Sequence, residues 1–181
     1  MKIIWVLFLF LNLCVLEISA QTEVPPSISD STKLTNYTPP KYFDVNHRFI
    51  FEYGLMFCLT REEDVVSTLS ASYDISIISK KLYGSIQLGA FFGHGEEKDG
   101  AGWVIGFGFD YSVYTGGKYN LSIYAGAQAM LFNAVFGVVH IRNTFMISTK
   151  GALTLGLRYL PQIGARDHWL MPTFGYQLFL K

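Results

Sequence analysis

Charge is sparse in this chain of 181 residues. Lys and Arg number 14, Asp and Glu 14, together 15% of the sequence, and they cancel to a formal net charge of +0; an ordinary soluble domain carries roughly 25% charged residues. With no cationic excess, a nucleic-acid partner is not expected. Cysteine is nearly absent as well: of the 2 present, Cys14 lies in the N-terminal apolar stretch and Cys58 stands alone beyond it. A chain that loses its N-terminus therefore has no internal disulfide. No stretch repeats its apolar positions at helical spacing with capping signals, and no unit recurs beyond the hairpin. No apolar run reaches the roughly 20 residues of a membrane-spanning helix.

The longest apolar run, Ile3 to Leu11 with Leu13 to Leu16, follows Lys2 and precedes Ile18-Ser19-Ala20. Positive start, short apolar stretch and small-residue cleavage site make residues 1–20 a secretory signal, removed before Gln21. Asn12 and Leu13 precede Cys14 where a lipoprotein signal resembles a motif with small residues, so Cys14 is expected to leave with the signal. Residues 21–46 hold Pro25-Pro26, Pro39-Pro40 and scattered Ser and Thr, the composition of an extended or disordered leader. The remaining domain is 47–181.

What that domain does have is alternation. In GWVIGFGFDYSVY, Trp103, Ile105, Phe107, Phe109, Tyr111 and Val113 fall on one side of an extended chain; Val104, Gly106, Gly108, Asp110, Ser112 and Tyr114 fall on the other. The same period of two, bounded by polar or glycine-rich breaks, places strands at about 48–59, 66–78, 82–93, 102–115, 118–132, 134–148, 151–161 and 169–180. The segment from Val135 to Ile147 alternates least cleanly.

Two closed architectures accept such strands, with opposite facings. A soluble lipocalin-like barrel buries its apolar face around a ligand; a transmembrane barrel turns that face to lipid. The polar faces here are Ser, Gly, Gln, Asn and Thr with few Lys or Glu, whereas a solvated face is rich in charge. An interior closed by eight strands is just wide enough for side-chain filling, which glycines and serines suit better than the large apolar residues of the other face. Several strands also exceed the roughly 9–11 residues that cross a bilayer at a tilt. The expected fold is an all-β, eight-stranded antiparallel up-and-down transmembrane β-barrel, porin-like in its facing.

The connections add a test by parity, since periplasmic turns are short and outer loops long. Even connections read Ser79-Lys80-Lys81, Gly116-Gly117 and Thr149-Lys150, whereas odd ones include TREEDV (60–65), GHGEEKDGA (93–101) and PQIGARDH (161–168). The odd connection near Asn133 is short and breaks the trend. On these features residues 46–181 resemble the small outer-membrane β-barrel proteins, of the type of the OmpA transmembrane domain and OmpX. Ala20-Gln21 is similar to the mature start of exported Bacteroidota proteins. The ending Tyr176-Gln177-Leu178-Phe179-Leu180-Lys181 is similar to the signal read by the barrel-assembly machinery, with Phe179 third from the end where that signal favours a final aromatic. The resemblance implies residence in the cell outer membrane among its lipid and lipopolysaccharide, as a monomer with a structural or interaction role.

Strand parity turns Glu52, Asp74, Asp110, Arg142 and Arg158 inward, with Gln87 and Gln128 of similar type. An unpaired buried charge costs several kcal/mol, so these residues are expected to form an ion-pair and hydrogen-bond network that plugs the lumen. Some outer-membrane barrels resemble lipid A deacylases or palmitoyl transferases, but His94-Gly95-Glu96, His140-Ile141-Arg142 and His168-Trp169-Leu170 do not supply the closely following Ser of that deacylase family, so no enzyme activity is expected. Glu96, Glu97 and Asp99 read as a solvated loop tip rather than a metal site, and no cofactor is expected. Trp103 and Trp169 beside the outer loops, with Tyr114 and Tyr119 beside a periplasmic turn, read as two interfacial aromatic belts.

Overall fold

The computed structural model describes residues 43–60, 65–94, 100–130 and 134–180. The expected signal (1–20), most of the leader, the loop acids Glu96, Glu97 and Asp99, and Lys181 lie outside them. Eight strands follow in chain order: β1 His47–Cys58, β2 Val65–Ile78, β3 Leu82–His94, β4 Ala101–Gly116, β5 Tyr119–Met130, β6 Ala134–Met146, β7 Gly151–Pro161 and β8 His168–Leu180. Each pairs antiparallel with the next, and β1 closes on β8 from His47↔Leu180 to Cys58↔Trp169. Closure leaves no edge strand, so the ladders satisfy the backbone groups without water.

Facing follows the alternation. Phe107 and Trp103 are each 68% exposed, while Val104 and Asp110, one residue out of phase, are 3% and 1% exposed. Leu69, Ile86, Leu88, Ile105, Phe109, Val139 and Phe174 line the outside; Ser72, Ser85, Gln87, Asn120, Ser122, Thr144, Thr154 and Gln177 line the inside. The lipocalin-like alternative required the reverse. β6 blurs the pattern because Phe136 and Val138, at 2% each, are apolar yet point inward.

At one end the hairpin turns are tight. Ser79 and Lys80 take φ of 49° and 54°, and Gly117 takes 51°, the left-handed geometry of primed hairpin turns. The glycine turn is shifted by one residue from its expected place, since Gly116 still pairs with Tyr119 inside β4. Bulges interrupt the ladders between Ser76 and Ile78 and between Ser112 and Tyr114. The second inverts the expected side of Tyr114: the extra residue breaks the period of two, and the ring is 56% exposed.

Inside, two apolar clusters occupy opposite ends. Met56, Phe91, Val104, Tyr124, Met130, Phe136, Val138, Leu160 and Met171 fill the end that carries the long loops. Phe43, Val45, Met146, Ala152 and Phe179 fill the turn end. Phe43 and Val45, counted with the leader by composition, are thus packed: Phe43 meets Phe179 edge to face at 5.7 Å, and Tyr83 Oη donates to the Val45 carbonyl at 2.9 Å. Large inward side chains lie over glycines of neighbouring strands. A Cβ on Gly54 would come within 2.7 Å of Met171 Cγ, and one on Gly102 within 2.5 Å of the Phe91 ring.

Phe107→Arg, mid-strand on the outer face, is expected to cost about 2–4 kcal/mol in a bilayer, and Ser112→Ala to be mild. Reversible urea unfolding in lipid vesicles measures both, and equal losses would contradict this facing.

Candidate functional site

The middle of the lumen holds six charged side chains, three of each sign, none more than 4% exposed. β1 contributes Arg48 and Glu52, four residues apart and therefore on the same face. β2 contributes Asp74, β4 Asp110, β6 Arg142 and β7 Arg158. They form one chain of alternating sign. Arg48 Nη2 donates to Asp74 Oδ2 at 2.9 Å and to Asp110 Oδ2 at 2.8 Å. Arg142 Nη1 donates to the same Asp110 oxygen at 3.0 Å, and its Nε to Glu52 Oε1 at 3.0 Å. Arg158 Nη2 donates to Glu52 Oε2 at 2.7 Å.

Neutral groups extend the network. Arg158 Nη1 reaches Gln87 Oε1 and Gln128 Oε1, each at 3.4 Å. His140 lies beside it, with Nε2 3.1 Å from Thr173 Oγ1 and 3.9 Å from Glu52 Oε1. The Arg48 guanidinium carbon sits 3.5 Å from the Tyr83 ring centroid, a cation–π contact. Charged hydrogen bonds of this kind are stronger than neutral ones; removing one partner leaves the other buried without its counter-charge.

All five residues expected inside, Glu52, Asp74, Asp110, Arg142 and Arg158, are brought together, as are Gln87 and Gln128. Arg48 and Tyr83 were not among the residues expected there, and His140 was weighed only against catalysis, although strand parity carried the signal: Arg48 shares the face of Glu52, and His140 that of Arg142.

The expected aromatic belts divide. Trp103 is exposed at the loop end. Tyr114 and Tyr119 meet at 6.0 Å at the turn end, Tyr119 also meets Phe145 at 5.3 Å, and Tyr119 Oη donates to Asn143 Oδ1 at 2.6 Å. Trp169 does not join them: it shares the parity of buried Met171 and Thr173 and packs against the apolar cluster inside. Of the histidines weighed for catalysis, His140 is fully buried, and His168 stacks on Tyr159 with its Nδ1 2.7 Å from the phenol oxygen. The side chain of His94 lies outside the described residues.

Fold and interior together define an eight-stranded antiparallel barrel with the apolar exterior and polar core of the transmembrane class. A solved structure shares the fold. Neisserial surface protein A (NspA) superposes with a TM-score of 0.53 at 10% identity, covering 74% of this chain and 96% of that one. A de novo designed transmembrane β-barrel gives 0.49 at 10% identity over 74% and 95%. No family model and no curated protein matches the sequence.

Glu52→Gln deprives Arg142 and Arg158 of their carboxylate at once and is expected to cost about 3–5 kcal/mol. Combined with Arg158→Met, the loss should fall short of the sum by about 0.5–3 kcal/mol. Equilibrium unfolding of the two single variants and the double closes the cycle, and strictly additive losses would show that these distances carry no coupling.

Proposed function

We propose that this chain is a monomeric outer-membrane barrel with a structural or interaction role and no enzymatic activity, its lumen plugged by polar and ionic side chains. The observation that carries the reading is the pairing of an apolar exterior with an interior whose six charges cancel within one hydrogen-bonded chain. A conducting pore needs a continuous hydrated path, and here apolar clusters stand at both ends of the ionic layer.

The OmpA- and OmpX-like resemblance supports the same reading. Residues 1–20 act as an export signal, the terminal Tyr176 to Lys181 segment is read by the barrel-assembly machinery, and the long loops face lipopolysaccharide outside the cell. The tight turns then face the periplasm. No cofactor or nucleic acid takes part. Against the lipid A enzyme reading, His140 is sealed inside, and His168 is engaged by Tyr159 rather than by a serine.

The protein is expected to stay with carbonate-washed membranes and to migrate faster on gels unheated than boiled. In planar bilayers it should show no steady open-pore current. Release into the soluble periplasm would overturn the membrane reading, and a large, stable conductance would overturn the plug.

A further inference from the structure

Each of the three tight turns ends on a lysine. Lys81 directly precedes β3, Lys118 precedes β5 and Lys150 precedes β7. Every one of them prolongs its ladder by a residue, because its carbonyl accepts from the following strand: the Ser112 amide donates to Lys81 at 2.8 Å, the Met146 amide to Lys118 at 2.8 Å and the Phe179 amide to Lys150 at 3.0 Å. The neighbouring pairs Leu82↔Tyr111, Tyr119↔Phe145 and Gly151↔Leu178 put these lysines directly opposite Ser112, Met146 and Phe179. Residues opposite one another in a ladder share a face, and those three partners are buried inside the barrel. The lysines therefore rise from the inner wall of the mouth, while Leu82, Tyr119 and Gly151, one residue on, belong to the outer wall.

Strands β3, β5 and β7 are two apart in the closed sheet, about 10 Å along the wall, and the interior of eight strands is narrow enough for side chains from facing walls to meet. All three lysines are exposed, and among the described residues none has an ion-pair partner, whereas Lys80 is held by Asp44 at 3.0 Å. Asp44 is the one acid described at this rim. Beneath lie Phe43, Val45, Met146, Ala152 and Phe179, an apolar floor along which lysine stems rest with their charges in water. Three like charges around one mouth repel, and a shared counter-ion removes that cost.

We propose that the turn-end mouth binds one compact multivalent anion of the oligophosphate class, held by Lys81, Lys118 and Lys150 together. Ammonium groups on three sides call for a ligand that carries several negative charges in a small volume. An extended acidic peptide strings its carboxylates along one line and meets at most two of the walls. Lipid headgroups lie beyond the outer wall, away from the face that carries the lysines. The site stands on the geometry of the mouth and not on which compartment the turns face.

Isothermal titration calorimetry of the full chain folded in nonionic detergent, with sodium tripolyphosphate as the probe, tests the assignment. Wild type is expected to bind one tripolyphosphate per chain. Lys81→Gln, Lys118→Gln and Lys150→Gln should each weaken binding by up to about fivefold, the worth of one exposed ion pair, and the triple variant should lose saturable binding, while Lys150→Arg keeps it. Arg166→Gln removes the same charge from the exposed β7–β8 loop at the other end and should leave the affinity unchanged. Heat-modifiable migration checks that each variant is folded; all four positions are exposed, so none is expected to disturb the barrel. Absence of saturable binding by wild type, undiminished binding by the triple variant, an equal loss in Arg166→Gln, or tighter binding of a hexaglutamate peptide than of tripolyphosphate would overturn the site.

Discussion

A sheet of eight strands closed on itself leaves an interior about as wide as the side chains that line it. Most of what is unusual in this chain follows from that width. There is little space beyond the side chains themselves, so polar groups that point inward are brought within reach of one another. There is also no room for uniformly large residues, so Met171 lies over Gly54 and Phe91 over Gly102. The glycines that weaken a solvated strand are here the reason that the opposite side chains fit.

Ions inside such a space would be costly singly. They are tolerated because three guanidiniums and three carboxylates alternate, with Asp110 and Glu52 each shared by two arginines and Arg48 and Arg142 each shared by two acids. Each guanidinium has several donors in a fixed fork, which lets one side chain serve two carboxylates where an ammonium would act as a point charge. The aromatic face of Tyr83 supports Arg48 from below, and the same tyrosine clasps the Val45 carbonyl with its hydroxyl. The residue that steadies the ionic layer therefore also seats the segment that closes the turn end.

The fold was largely legible because a period of two, a shortage of charge and a parity of loop lengths are independent signals that agree. Strand limits came out within one or two residues for most elements. Where legibility failed, one local event broke the alternation or an element began in an ambiguous place. The bulge before Tyr114 inverted one side chain. Trp169 was assigned by its height near a loop rather than by parity, which turns it inward. Phe43 and Val45 sat in a stretch that composition joined to the prolines of the leader, and no local pattern shows that such a segment will be packed at the barrel end. For the site, the residue types and their facing could be read, but not which acid meets which arginine, since that depends on shear and tilt around the whole barrel.

That dependence gives the ionic chain a further consequence. Besides Arg48–Asp74 between adjacent β1 and β2, its links join strands that are not neighbours: β1 to β4, β4 to β6, and β1 to both β6 and β7. They span 62, 32, 90 and 106 residues of sequence, so none can form within a single hairpin. They require β1 and β8 to have met in register. A slip of one residue at that seam would turn Arg48 and Glu52 out toward hydrocarbon and Phe49 and Phe51 inward. Such a slip would strand Asp74 and Arg158 and leave Asp110 and Arg142 with only each other. The hairpins are set by local turn chemistry, but the closing pair has no turn to fix it, and the ions supply the discrimination that this one seam lacks.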